Sequence, residues 1–153
     1  MSFRRSRMSR PQASRGRART RIAGFKVPKS IDFIAALRQS PDLAQLPVGR
    51  RVVVIGGGNT AVDAAVQSKK LGAESVAMVY RRGAESMSAT HVEQAYAKSQ
   101  GVNVIHWAAP KRLVATNGVV SAVEFEYTRL AANGKLEGSG SPTNQPSFTM
   151  NKY

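Results

Sequence analysis

Apolar and polar positions follow two rhythms along this chain, and each change of rhythm marks an element. Val52-Val53-Val54-Ile55 is an unbroken β-branched run, the pattern of a strand covered on both faces within a parallel sheet. From Asn59 to Leu71 the period becomes helical: Ala61, Ala64, Ala65, Ser68 and Leu71 share one stripe of mostly small residues that can lie flat on a sheet, and Gly72 stops the helix. Ser75–Tyr80 reads as a second buried strand, which completes a β-α-β unit. A further helix over Thr90–Gln100 ends at Gly101, and Val102–Trp107 is a third strand. Leu113–Thr116 and Val119–Tyr127 flank Asn117-Gly118, the strongest short hairpin signal in the chain. Upstream, Pro28-Lys29-Ser30 opens a short helix over Ile31–Gln39, and Pro47-Val48-Gly49 is the loop that feeds the first strand.

The turn between the first strand and its helix carries the chemistry. Gly56, Gly58 and Ala61 fall on G-x-G-x-x-A spacing. In a dinucleotide site the first glycine permits a tight turn, the second lets the backbone approach a pyrophosphate, and the small third residue lets helix and strand pack closely. The free N–H groups and positive dipole end of the helix would then hold phosphate, with Gly57 inside the same cradle. Asn59 and Thr60 stand at the helix entry, where their side chains fit either a pyrophosphate contact or a helix cap. The chain therefore reads as a Rossmann-like α/β domain: a parallel sheet with a C-terminal β-hairpin. Its boundaries are 28–136, between a disordered basic N-terminal tail (1–27) and a disordered C-terminal end (137–153) rich in Gly, Ser, Pro, Thr and Asn.

The segment after the second strand bears on which nucleotide fits. A site for an unphosphorylated ribose usually offers a carboxylate about 20 residues beyond the glycines. Here stand Tyr80-Arg81-Arg82-Gly83 instead. Two guanidinium forks match a 2′-phosphate, so NADP(H) is favoured and NAD(H) is the alternative. The competing reading makes Arg81 and Arg82 a solvated basic end to the strand. Ser88 and Thr90 offer hydroxyl donors to the same phosphate, and Ser88, Thr90 and Glu93 equally fit helix-capping roles.

Val52–Ala65 with Gln67-Ser68, then Leu71-Gly72-Ala73-Glu74 and Val79-Tyr80-Arg81-Arg82-Gly83, resemble the pyridine-nucleotide domain of the glutamate synthase small subunit and dihydropyrimidine dehydrogenase family. The likeness is strongest to the bacterial flavoprotein subunit of dihydropyrimidine dehydrogenase, and Ile31–Arg38 and Val123–Leu130 extend it across residues 26–136. The resemblance implies a domain that lays nicotinamide against FAD for hydride transfer. It also implies a separate flavin domain with its own upstream glycine motif, and iron–sulfur clusters in other domains or partner subunits. The 153 residues contain one glycine-rich phosphate turn and no cysteine, so they can ligate no such cluster. The expectation is a truncated, NADPH-holding module that binds nucleotide without turnover, with FAD belonging to the intact family protein.

Charge changes the picture less than its total suggests. The net charge is +14, yet residues 1–29 hold ten Arg or Lys and no acid, while residues 30–153 hold thirteen basic and nine acidic residues. The basicity belongs to the tail. Three origins compete for it: an arginine-rich nucleic-acid arm, a transit-peptide-like leader, or translated sequence in place of the family's upstream domain, which is favoured. No apolar run approaches the ~18 residues of a membrane span, and a soluble, cytoplasmic chain is expected. His91 and His106 are the only histidines and lie too far apart for a metal site; Asp63 fits a hydrogen bond near the cofactor or a helix-face packing role, Trp107 reads as core or interface rather than a nicotinamide platform, and no residue reads as a nucleophile with an attached base.

Overall fold

A computed structural model describes residues 21–22, 25–26, 30–46, 48–117, 119–142 and 148–149. The arginine-rich stretch up to residue 20 lies outside the described residues, as does Gly118 of the hairpin. The first described pieces, β1 (Arg21–Ile22) and β2 (Phe25–Lys26), pair as a small antiparallel ribbon within the stretch read as tail. Helix α1 (Ser30–Gln39) follows, with Leu43–Gln45 as a single 3-10 turn.

The centre is a parallel sheet of β3 (Arg51–Ile55), β4 (Ser75–Tyr80) and β5 (Val102–His106), in that order, with α2 (Asn59–Lys70) and α3 (His91–Ser99) as crossovers. Both faces of this sheet are covered, which is why its strands are continuous apolar runs rather than alternating ones. Val52, Val54, Val76, Met78, Val102 and Val104 pack with Ile34 of α1, Ala61, Ala64 and Ala65 of α2 and Ala97 of α3. The intervening Val53, Val79 and Ile105 pack on the other side, against Leu113, Val123 and Phe125. Those last residues belong to an antiparallel sheet of β6 (Ala108–Thr116), β7 (Val119–Leu130) and β8 (Leu136–Pro142), with β9 (Phe148–Thr149) also paired to β7.

The helix ends follow local rules. α2 closes in a Schellman motif: Ala73 N–H donates to Ser68 O at 3.1 Å, Gly72 N–H donates to Lys69 O at 3.1 Å, and Gly72 takes φ +102°. Gly101, at φ +82°, ends α3 in the same left-handed region, and Asn117, at φ +52°, turns the hairpin. Thr90 and Glu93 form a reciprocal capping box at the start of α3, the capping alternative read for these positions.

Two differences from the sequence reading have physical causes. The hairpin is part of a larger sheet, because Leu136–Pro142, all but its first residue within the stretch whose composition reads as a disordered end, pairs with β7. Main-chain ladders need no apolar side chains, so a Gly- and Ser-rich edge strand leaves no hydrophobic signal. The third parallel strand ends at His106 rather than Trp107, which sits at φ +57° and separates the parallel sheet from the antiparallel one. Among the described residues no helix is long and apolar enough to cross a membrane.

The small-residue stripe of α2 leaves no room for growth: Ala65 is 0% exposed against the sheet. Ala65→Leu is expected to lower unfolding stability by about 1–3 kcal/mol through overpacking. A urea denaturation midpoint equal to that of the parent would refute this packing.

Candidate nucleotide site

At the C-terminal edge of the parallel sheet β3 runs straight into the glycine turn. Gly56 N–H still pairs with Val79 O at 3.0 Å, and the chain then turns with Gly56 at φ +148°, a conformation that favours glycine. A Cβ on Gly56 would lie 3.3 Å from the Cβ of Ala61, so the closeness of turn and helix also explains why a small residue stands at 61. Gly58 is the N-cap of α2, and its carbonyl accepts from Ala61 N–H (2.9 Å) and Val62 N–H (3.1 Å). As a glycine it makes no side-chain cap bond. Asn59 and Thr60, its first two residues, are exposed.

A second loop, from the end of β4 to the start of α3, is fastened onto this turn. The ring of Tyr80 lies against Gly57 so closely that a Cβ there would fall 2.6–2.9 Å from three ring atoms. The Tyr80 hydroxyl donates to Ser86 O at 2.8 Å, and Ala89 N–H donates to Gly57 O at 3.1 Å. Ser88 is carried over Gly58, its Oγ 3.2 Å from the position of a Cβ on that glycine. Ser88 thus sits at the mouth of α2, beside the glycine turn. The buried amide of Gln94 supports the loop from below, with Nε2 donating to Ala84 O (3.2 Å) and Ala89 O (2.9 Å). Tyr80 and Gln94 escaped the sequence reading. An aromatic ending a buried strand directly before two arginines is the signal that points to the first; Gln94 carries none, because its partners are main-chain carbonyls.

Arg81 and Arg82 follow β4 as Gly56 and Gly57 follow β3, at neighbouring strand ends. Their carbonyls are held from the opposite face of the sheet. The Thr128 hydroxyl donates to Arg81 O at 2.7 Å, and Trp107 N–H donates to Arg82 O at 3.2 Å. Thr128 N–H in turn donates to Trp107 O at 2.8 Å. The Arg81 side chain is exposed and that of Arg82 half-buried, with its Nε out of contact with water and without a hydrogen-bond partner. His106, in register with Tyr80, has a buried and equally unpartnered Nε2. Burial holds the His106 imidazole below its ordinary pKa of 6.5; the Lys98 ammonium adds to this and the Glu85 carboxylate opposes it.

The protein-family comparison decides the identity of this arrangement: residues 15–151 match the model of the pyridine nucleotide-disulphide oxidoreductases. The chain belongs to that family. Within these 153 residues the family's disulphide has no counterpart, since there is no cysteine. Among relatives, the glutamate synthase (NADPH) small chain of Azospirillum brasilense is 43% identical over 98 residues, covering 60% of this chain and 20% of that one. A putative glutamate synthase (NADPH) small chain of Cereibacter sphaeroides is 39% identical over 75 residues, covering 49% of this chain and 18% of that one. The chain therefore spans about a fifth of the length of these relatives. The structure of Lactococcus lactis thioredoxin reductase shares the fold, with a TM-score of 0.50 at 20% identity over 82% of this chain and 38% of that one.

His106 gives a pH dependence of known sign. Its folded-state pKa lies below 6.5, so the stability that His106 contributes is present above that pH and is lost as acid forces a proton onto the half-buried imidazole. The urea midpoint is expected to fall between pH 7.5 and pH 5, and the fall to be smaller in His106→Gln. Equal falls in parent and variant would show that His106 contributes nothing to it.

Proposed function

We propose that this chain is the NADP(H)-holding module of a flavin-dependent oxidoreductase of the glutamate synthase small-subunit kind. One observation carries the reading: a glycine turn opens onto a helix whose N-cap, Gly58, makes no side-chain cap bond, and two arginines stand at the neighbouring strand end. The N–H groups of Asn59 and Thr60 come before the first bonds of the helix, which Ala61 and Val62 make to Gly58 O, and together with the helix dipole they suit a pyrophosphate. Gly56, Gly57, Gly58 and Ala61 form the turn that would cradle it. Asn59, Thr60 and Ser88 add polar groups at its rim, and Arg81 and Arg82 supply the forks for a 2′-phosphate. The unmet Nε–H of Arg82 fits this role, since a buried guanidinium donor costs free energy until an acceptor reaches it.

The nucleotide, when bound, supplies the hydride, and a flavin is its acceptor. The residues of this chain bind and orient: glycine turn and helix fix the pyrophosphate, and the arginines select the phosphorylated ribose. In this reading the FAD lies in a flavin domain, and an iron–sulfur partner subunit passes the electrons on. Domain limits of 28–136 and a cytoplasmic setting belong to the same proposal. The NADPH named in the relatives' descriptions supports NADP(H) over NAD(H). The motifs shared with the dihydropyrimidine dehydrogenase flavoprotein subunit leave that enzyme as the other candidate parent.

Calorimetric titration at ~0.15 M salt, where exposed charges more than about 8 Å apart are largely screened, tests the site. NADP⁺ is expected to bind more tightly than NAD⁺. Arg81→Ala and Arg82→Ala are each expected to weaken NADP⁺ by about 10- to 100-fold, the loss of charge-assisted hydrogen bonds, with little change for NAD⁺. Binding of neither nucleotide by the parent chain would overturn the proposal.

A further inference from the structure

Arg81 and Arg82 lie within a short loop that one side chain closes. Tyr80 ends β4, and its hydroxyl bonds to Ser86 O at 2.8 Å, so the segment 80–86 is pinned at both ends. The Tyr80 ring is seated on Gly57 itself, on the turn proposed for the pyrophosphate. One further hydrogen bond ties the same loop to that turn, Ala89 N–H to Gly57 O at 3.1 Å, and Ser88 Oγ lies over Gly58. Gly57 takes no left-handed φ, so backbone conformation alone gives no reason for a glycine there. Its reason is the ring: any Cβ would fall within 2.9 Å of Tyr80 carbons.

We infer that Tyr80 is a positioning residue for nucleotide discrimination, joining the 2′-phosphate arginines to the pyrophosphate turn through its ring on Gly57 and its hydroxyl on Ser86. The inference rests on the nucleotide reading of the site. Long arginine side chains carry rotamer entropy that binding must quench. A loop already fixed relative to the pyrophosphate leaves only those side chains to order, whereas a free loop would have to order its backbone as well. The ring also packs beside the core cluster of α2 and β4, so a purely structural role is the rival. The two roles differ in what they spare. Loss of packing weakens both nucleotides alike, whereas loss of positioning weakens the one that carries the 2′-phosphate.

Tyr80→Phe keeps the ring on Gly57 and removes the hydroxyl bond; Tyr80→Leu removes both. Calorimetry with NADP⁺ and NAD⁺ on the full chain is expected to show NADP⁺ affinity falling about threefold to tenfold in Tyr80→Phe, the size of one net hydrogen bond, and further in Tyr80→Leu. NAD⁺ affinity is expected to hold, so the NADP⁺ to NAD⁺ preference shrinks stepwise from Tyr through Phe to Leu. Amide exchange at Ala89, whose N–H bonds to Gly57, reads the fastening without any nucleotide and is expected to accelerate in Tyr80→Leu. Equal losses for both nucleotides, or an unchanged preference in Tyr80→Leu while Ala89 exchange accelerates, overturns the positioning role alone. Unchanged Ala89 exchange in Tyr80→Leu also overturns it. A parent chain that takes up neither nucleotide overturns the nucleotide reading and this inference together.

Discussion

The arrangement at the glycine-turn end of the sheet depends on the grip that two layers exert on β4. Its alternate residues Val76 and Met78 are buried in the helix-side core, and Val79 is buried in the core shared with the antiparallel sheet. A strand held on both faces cannot rotate or slide, because a shift of one residue would exchange the two sets of side chains. That fixes where the strand ends, and so where Tyr80 and the two arginines begin. The glycine turn is fixed by the same grip, since Gly56 is still paired to Val79 when the chain turns.

The parts of this structure that were legible in the sequence obey local rules. Gly72, Gly101 and Asn117 mark places where the backbone takes positive φ, and the Thr90–Glu93 box announces a helix from four residues. The β-branched runs announce strands buried on both sides. What stayed hidden depends on partners distant in the chain. β8 is held by main-chain bonds to β7 that no composition reveals. The seat of Tyr80 on Gly57 joins residues 23 apart, and the Thr128 hydroxyl reaches Arg81 across 47. Ser88 was recognised as a polar group for the site, but its place over Gly58 follows from how the loop is fastened.

Family membership and local geometry contribute differently to the functional reading. The family match spans most of the chain and fixes the kind of protein. It is the exposed start of α2, the fastened loop and the unmet donor on Arg82 that the proposed nucleotide site rests on. The surface of the antiparallel sheet, by contrast, carries exposed pairs such as Arg112–Glu124 and Arg129–Glu137, which contribute little stability individually.

Trp107 is the seam between the two sheets. A bulky residue at φ +57° costs on the order of 1–3 kcal/mol, and its main chain is bonded on one side to Arg82 and on the other to Thr128. With the Thr128 hydroxyl on Arg81, these bonds join β7 to the arginine loop without any intervening flexible segment. The two sheets are therefore spliced at this point: three hydrogen bonds make β7, Trp107 and the arginine carbonyls one continuous bonded unit.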